Sequence, residues 1–291
     1  MEKILVVGAG FMGSGIAQVC AQKGKDVFLT DTSTSAIERG LKEIGSSLVR
    51  LAQKNIITED PDRILKRITP VDGIETASHA DLIIEAATES EEIKKSLFAR
   101  LDSLASHNSV IASNTSSIPI SILASSTSRP ENVLGMHFFG PVPLMRLVEV
   151  VKAEHTSADV FERAVSFVKS LDKIPVKVMK DIPGFIMNRI FSAALREALE
   201  LVEKGVASPE DVDIGMREGY GWRAGPFEIA DNAGLDTIEL IGKALERLGA
   251  GSLSPRSEIL SQLVSEGRLG RKSGRGFYDY DPAGKRKTKQ N

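Results

Sequence analysis

At 291 residues the chain is long enough for one large or two ordinary domains, and it can bury most of its apolar surface without a disulfide or a metal to brace it. A hydrophobic content of 42% and a charged content of 26% are those of an average globular protein and argue against a disordered or membrane-embedded chain. With 37 basic and 39 acidic residues the formal charge is −2, so no global field attracts nucleic acid and any anion must be held locally.

The first residues, MEKILVVGAG, pass straight into a strand and a glycine turn, with no apolar stretch long enough for a signal peptide or a membrane span. A cytoplasmic location is expected. Along the first half, ILVVG (4–8), DVFLTD (26–31), DLIIEA (81–86), SVIAS (109–113) and NVLGMHF (132–138) read as strands, and helices are expected between them. Ile16, Ala17, Val19 and Cys20 share one helical face. Ile37, Leu41, Ile44, Leu48 and Leu51 recur at spacings of three and four between Ser35 and Lys54. Strands joined by helices predict parallel pairing and a doubly wound α/β sheet. Cys20, the single cysteine, falls in an apolar helical pattern and reads as a packed core residue rather than a nucleophile.

From about Pro183 the pattern becomes wholly helical, through 185–205, 208–219, 226–249 and 257–267, with Ser-Pro and Gly-Pro starts and glycine ends. The boundary is placed near Lys180 to Gly184, giving a sheet domain over 1–183 and a helical domain over 184–291. The basic tail 284–291 reads as a frayed terminus rather than a nucleic-acid arm.

The segment GAGFMG (8–13) matches G-x-G-x-x-G between a strand and a helix, the context in which that motif binds a dinucleotide. Gly8 permits the tight turn, Gly10 lets backbone approach a pyrophosphate, and Gly13 lets the helix pack on the strand; Ala9, Phe11 and Met12 complete the turn. Asp31 ends the second strand, where a carboxylate accepts hydrogen bonds from an adenosine ribose and repels a 2′-phosphate, favouring NAD over NADP. A glycine turn used only for packing is the plain alternative.

A second cluster, SNTSSIPI (113–120) followed by GMHFFGPVPLMRLVEVV (135–151), places Ser116, His137 and Glu149 around the carboxyl ends of late strands, where open α/β sheets bind ligands. A histidine, with an ordinary pKa of about 6.5, suits removal of a hydroxyl proton as hydride leaves carbon, and Glu149 can orient it. Taken alone, a histidine beside Phe138 and Phe139 is more often a satisfied structural residue.

The whole set closely resembles the 3-hydroxyacyl-CoA dehydrogenase family. The resemblance rests on VGAGFMGSGIA (7–17), EAATESEEIKKSLFARLD (85–102), ASNTSS (112–117), HFFGPVPLMRLVEVV (137–151), DIPGFIMNRI (181–190), GPFEIADNAGLDT (225–237) and GRKSGRGFYDY (270–280). It implies a Rossmann-type domain followed by a helical domain that forms a homodimer, with the active site in the cleft between the domains. It implies NAD as cofactor, an (S)-3-hydroxyacyl-CoA substrate of short chain such as 3-hydroxybutyryl-CoA, and no metal. His137 is then the general base in oxidation, Glu149 its orienting partner, and Ser116 and Asn188 hydrogen-bond the reacting oxygen. Cofactor positions implied in the same way are Gly8 through Gly13, Asp31, Glu89, Lys94, Asn114 and Lys272. Ser47 and Lys54 fall where the family contacts coenzyme A.

Each of these residues also has an ordinary structural role open to it. Lys54, Lys94 and Glu89 sit in charged helical stretches that suit a solvated face. Asn114 and Ser116 suit the cap of a helix beginning near Ile118. Asn188 suits a polar helix position, and Lys272 a basic turn. Gly140 departs from the family, which usually carries asparagine after His-Phe-Phe; that side chain is missing at the cofactor side of the expected site. Two other functions remain open: a dehydrogenase of a free hydroxy or sugar acid on the same scaffold, and an NAD-binding structural protein with little catalysis.

Overall fold

The computed structural model describes residues 1–287, and the chain divides into two compact units, Met1–Ile182 and Pro183 onward. The first unit is an eight-stranded sheet flanked by helices. Its strands are β1 Lys3–Val7, β2 Asp26–Thr30, β3 Ile68–Pro70, β4 Leu82–Glu85, β5 Val110–Ser113, β6 Val133–Phe138, β7 Leu147–Val151 and β8 Ile174–Val178. They lie in the order β3-β2-β1-β4-β5-β6-β7-β8. Its helices are α1 Phe11–Gln22, α2 Thr34–Gln53, α3 Pro61–Leu65, α4 Glu91–Leu104, α5 Ile120–Ala124 and α6 Ala158–Ser170.

Strands β4, β5 and β6 are buried along their whole length, as is β1 beyond Lys3, which is why they read as unbroken apolar runs rather than alternating ones. Three strands were not expected. β3 is too short to show a period, and β7 carries Glu149 in an otherwise apolar run. β8 contains Pro175, which confines it to the sheet edge it occupies. The pairing also departs from all-parallel: β6 and β7 run antiparallel, while β8 is parallel to β7. Residues 139–146, which join β6 to β7, are too few for the crossover of roughly a dozen residues that a parallel return needs.

Helix α1 is buried on nearly every side, from Gly13 to Ala21, rather than on one face. It can be so because small residues let its neighbours close on it: a Cβ on Gly13 would lie 1.8 Å from Gly8 O, and one on Gly15 2.8 Å from Val142 Cβ. Cys20 is part of this core, and burial pushes its thiol up to about 12, so it is unreactive. Helix α2 follows its sequence period, burying Ile37, Ile44, Leu48 and Leu51 beneath a Ser33 cap.

The second unit comprises α7 Met187–Glu203, α8 Pro209–Ile214, α9 Pro226–Ala233, α10 Leu235–Arg247 and α11 Glu258–Ser265, with a π-helical turn Gly215–Gly219 after α8. Its core gathers Leu195, Leu199, Phe227, Leu235, Ile238 and Leu260. The stretch 226–249, expected as one helix, breaks at Gly234, whose φ of +96° no right-handed helix accommodates. The expected frayed tail is also corrected in part. Arg286 lies 3.6 Å over the Tyr278 ring and pairs with Glu210 and Glu228, while 288–291 lie outside the described residues.

Two fully buried carboxylates tie this segment down. Asp213 accepts from Phe227 N, Glu228 N and Tyr278 Oη, and Asp231 from Phe277 N, Tyr278 N and Tyr280 Oη. Asp231→Asn would turn one acceptor into a donor facing donors. The expected loss is about 2–4 kcal/mol, read as a lower denaturation midpoint; an unchanged midpoint would mean that those groups find other partners.

Candidate active site

The carboxyl ends of β1, β2, β4, β5 and β6 lie along one edge of the sheet, because these strands are mutually parallel. The glycine turn follows β1 there. Gly8 has φ +109°, and a Cβ on it would meet Ala86 O at 2.4 Å, so only glycine lets this turn pass the end of β4. Gly10 differs: a Cβ built there would touch nothing within 4 Å. That open space faces the start of α1, which has no side-chain cap on its first turn. Exposed N–H groups at a helix N-terminus with room above them fit a pyrophosphate. Asp31, just past β2, accepts from Ala9 N at 2.8 Å and from Ser33 N at 3.0 Å, so the acid fixes the turn as well as lying beside it. These residues fit the adenosine end of NAD.

His137 stands on β6 and Glu149 on β7, and the antiparallel register makes them direct cross-strand partners on one face. His137 Nδ1 lies 2.7 Å from Glu149 Oε2, with Glu149 fully buried and His137 nearly so. Nδ1 is therefore the ring nitrogen turned to the carboxylate, and the contact orients the imidazole. The ring is steadied from the side by Phe139, with centroids 4.5 Å apart. An imidazole oriented in this way by a buried carboxylate can serve as a general base.

Lys94 does not occupy a solvated helix face, and Glu89, which is exposed, lies ahead of α4 rather than on it. Lys94 is 1% exposed, and its Nζ lies 2.5 Å from Glu85 Oε1 and 3.3 Å from Glu89 Oε2. Glu85, which sequence reasoning missed, ends β4 and also accepts from Ala87 N and Ser113 Oγ. Its signal was a lone acid closing an apolar strand. Glu89 accepts from Thr115 Oγ1, Ser117 Oγ and Ser116 N. Burial acts to raise its carboxyl, but the Lys94 charge and the Thr115 and Ser117 hydroxyls outweigh burial and leave it below the usual range.

The loop after β5 therefore has its polar groups assigned differently from the capping expectation. Thr115 Oγ1 accepts from Ser117 N and Ile118 N, and α5 begins only at Ile120. Asn114 Oδ1 instead accepts from Phe138 N, linking the β5 loop to the strand of His137. Ser116, half-buried, sits in the same loop.

Other candidates lie elsewhere. Ser47 lies on α2 and Lys54 is the residue that caps its C-terminus two turns later, roughly 20 to 30 Å from the helix's first residue. Asn188 is the second residue of α7, and Lys272 pairs with Asp236 at 2.6 Å; both belong to the second unit. Lys173 was also missed. Its buried ammonium donates to Val142 O and Met145 O at 2.7 Å each, and burial lowers its pKa.

Comparison with known proteins agrees with this geometry. Residues 3–182 match the sequence model of the 3-hydroxyacyl-CoA dehydrogenase NAD binding domain, and residues 184–280 that of the 3-hydroxyacyl-CoA dehydrogenase C-terminal domain. The chain is 41% identical to human mitochondrial hydroxyacyl-coenzyme A dehydrogenase over 96% of its own length and 91% of the relative's. It is 41% identical to a probable 3-hydroxybutyryl-CoA dehydrogenase of Bacillus subtilis, over 97% and 98% of the two chains. The crystal structure of (S)-3-hydroxybutyryl-CoA dehydrogenase from Ralstonia eutropha superposes with a TM-score of 0.89 at 40% identity, covering 97% of this chain and 99% of that one. A dinucleotide turn and a histidine–carboxylate pair on one strand edge, within a chain matched almost end to end, identify it as a member of the 3-hydroxyacyl-CoA dehydrogenase family, NAD-dependent oxidoreductases acting on CH–OH.

Proposed function

We propose that this chain interconverts (S)-3-hydroxyacyl-CoA and 3-oxoacyl-CoA with NAD, on short acyl chains such as 3-hydroxybutyryl-CoA and acetoacetyl-CoA. The observation that carries the reading is the His137–Glu149 pair, 2.7 Å apart, on the same strand edge as the open glycine turn. NAD bound there supplies the hydride acceptor. The α1 N-terminus holds the pyrophosphate, and the Asp31 carboxylate takes the ribose hydroxyls and repels a 2′-phosphate. Glu89 and Asn114 line the same edge, and Lys94, buried beneath, holds Glu89 in place rather than reaching outward.

His137 Nε2 accepts the 3-hydroxyl proton as the C–H bond breaks, and Glu149 stabilises the imidazolium that results. In reduction His137 returns that proton to the oxygen. Ser116 and Asn188 donate to the reacting oxygen, a contribution for which loss of one donor typically costs roughly 10²–10³ in turnover. Lys54 and Ser47, on one face of α2, take the nucleotide end of coenzyme A. Lys272 is kept as a cofactor contact only on the strength of the resemblance. The exposed Ile190, Val206, Tyr220 and Leu240 of the second unit supply apolar surface for a homodimer to cover.

The deciding assay is NADH oxidation with acetoacetyl-CoA beside free acetoacetate. Turnover that needs the thioester is expected, and equal turnover of the free acid would replace this reading with a hydroxy-acid dehydrogenase. His137→Gln should lower kcat by about 10²–10⁴ with NADH affinity kept, and Glu149→Gln should lower it less. Near-native turnover by a folded His137→Gln would remove histidine from the mechanism. Asp31→Ala should narrow the preference for NADH over NADPH by roughly tenfold to a hundredfold, since a like charge beside the 2′-phosphate costs several kcal/mol; an unchanged ratio of Kd values would show that another group discriminates.

A further inference from the structure

Gly140, where this chain departs from its family, lies against the first turn of α1. A Cβ built on it would stand 2.6 Å from Cε1 and 3.3 Å from Cζ of Phe11, and 3.4 Å from Met12 Sδ. Gly140 is not among the glycines with positive φ, so no left-handed strain bars a side chain there, and the tight contacts of the added Cβ are with the Phe11 ring.

When two groups collide, the less constrained one moves. The loop 139–146 is constrained, because Lys173 clamps its Val142 and Met145 carbonyls and Val142 is pressed against Gly15 of α1. Phe11 is 64% exposed, so a side chain at 140 displaces the ring and not the loop. The ring is anchored one residue from Gly10, above which a Cβ would find no atom within 4 Å. A ring displaced from Gly140 thus has open space beside it at the glycine turn.

We propose that Gly140 and Phe11 form a coupled pair that sets cofactor affinity: glycine at 140 lets the Phe11 ring lie on the hairpin loop, clear of the glycine turn. The pair explains how a small residue at 140 serves a cofactor site, since its contribution is the room it leaves. This rests on the reading that NAD binds at the turn.

The test is a double-mutant cycle read as NADH Kd by nicotinamide fluorescence, on Gly140→Ala and Gly140→Asn, each alone and with Phe11→Ala. In the native background Gly140→Asn should raise Kd roughly tenfold and Gly140→Ala by a smaller factor, whereas in the Phe11→Ala background each should shift it less than about twofold. Thermal melts establish folding, and Gly140→Ala carries the test if the asparagine variant does not fold. Equal shifts in both backgrounds, or no rise in the native one, overturn the pair while leaving the cofactor site intact. Failure of the unsubstituted chain to bind NADH defeats the underlying reading and the pair together.

Discussion

The site depends on one turn of the chain, the reversal between β6 and β7. A parallel neighbour would have brought the β7 carboxylate to a slanted register and across a long crossover. The antiparallel return sets His137 opposite Glu149, so the 2.7 Å contact is fixed by the backbone ladder and not by two flexible side chains finding each other. Glu149 is fully buried, so the ring and the carboxylate are held together away from water. The orientation of the imidazole is thereby a property of strand register.

The second constraint is the charge buried beneath the strand edge. Taking an ammonium and a carboxylate out of water costs several kcal/mol each unless the geometry and the remaining hydrogen bonds are complete. Here they are shared out: Glu85 receives Lys94, Ala87 N and Ser113 Oγ, while Glu89 receives Lys94 and the β5 loop. These shared contacts tie the loops after β4 and β5 to each other. Ser116 is located by them through a backbone bond to Glu89.

The legibility of these features in the sequence follows their range. Gly8, Gly10, Gly13 and Asp31 were readable because their roles are local to one strand, one turn and one helix. The helix α2 was readable because burial on one face imposes a period. His137 and Glu149 were readable as types, but their pairing rests on β7, whose antiparallel sense follows from the shortness of 139–146 rather than from any pattern within the strand. The plain alternative for Lys94, a solvated helix face, fails because its burial depends on Glu85, nine residues earlier and on another element. Gly234 broke a helix that its flanking apolar residues would have continued, since a single left-handed residue outweighs the periodicity around it.

The loop 139–146 joins these strands of argument. It leaves β6 one residue past His137, rests Gly140 on the first turn of α1 and Val142 on Gly15, and enters β7 just before Glu149. Lys173, at the start of β8, closes it from the far side through two carbonyls, accepting the cost of a buried ammonium. A loop held at both faces transmits position: α1, which presents the glycine turn, and β6, which presents His137, are spaced by packed backbone and not by the sheet alone. Close-packed contacts of this kind change in steps rather than continuously. The distance between the glycine turn and His137 is therefore set inside the first unit.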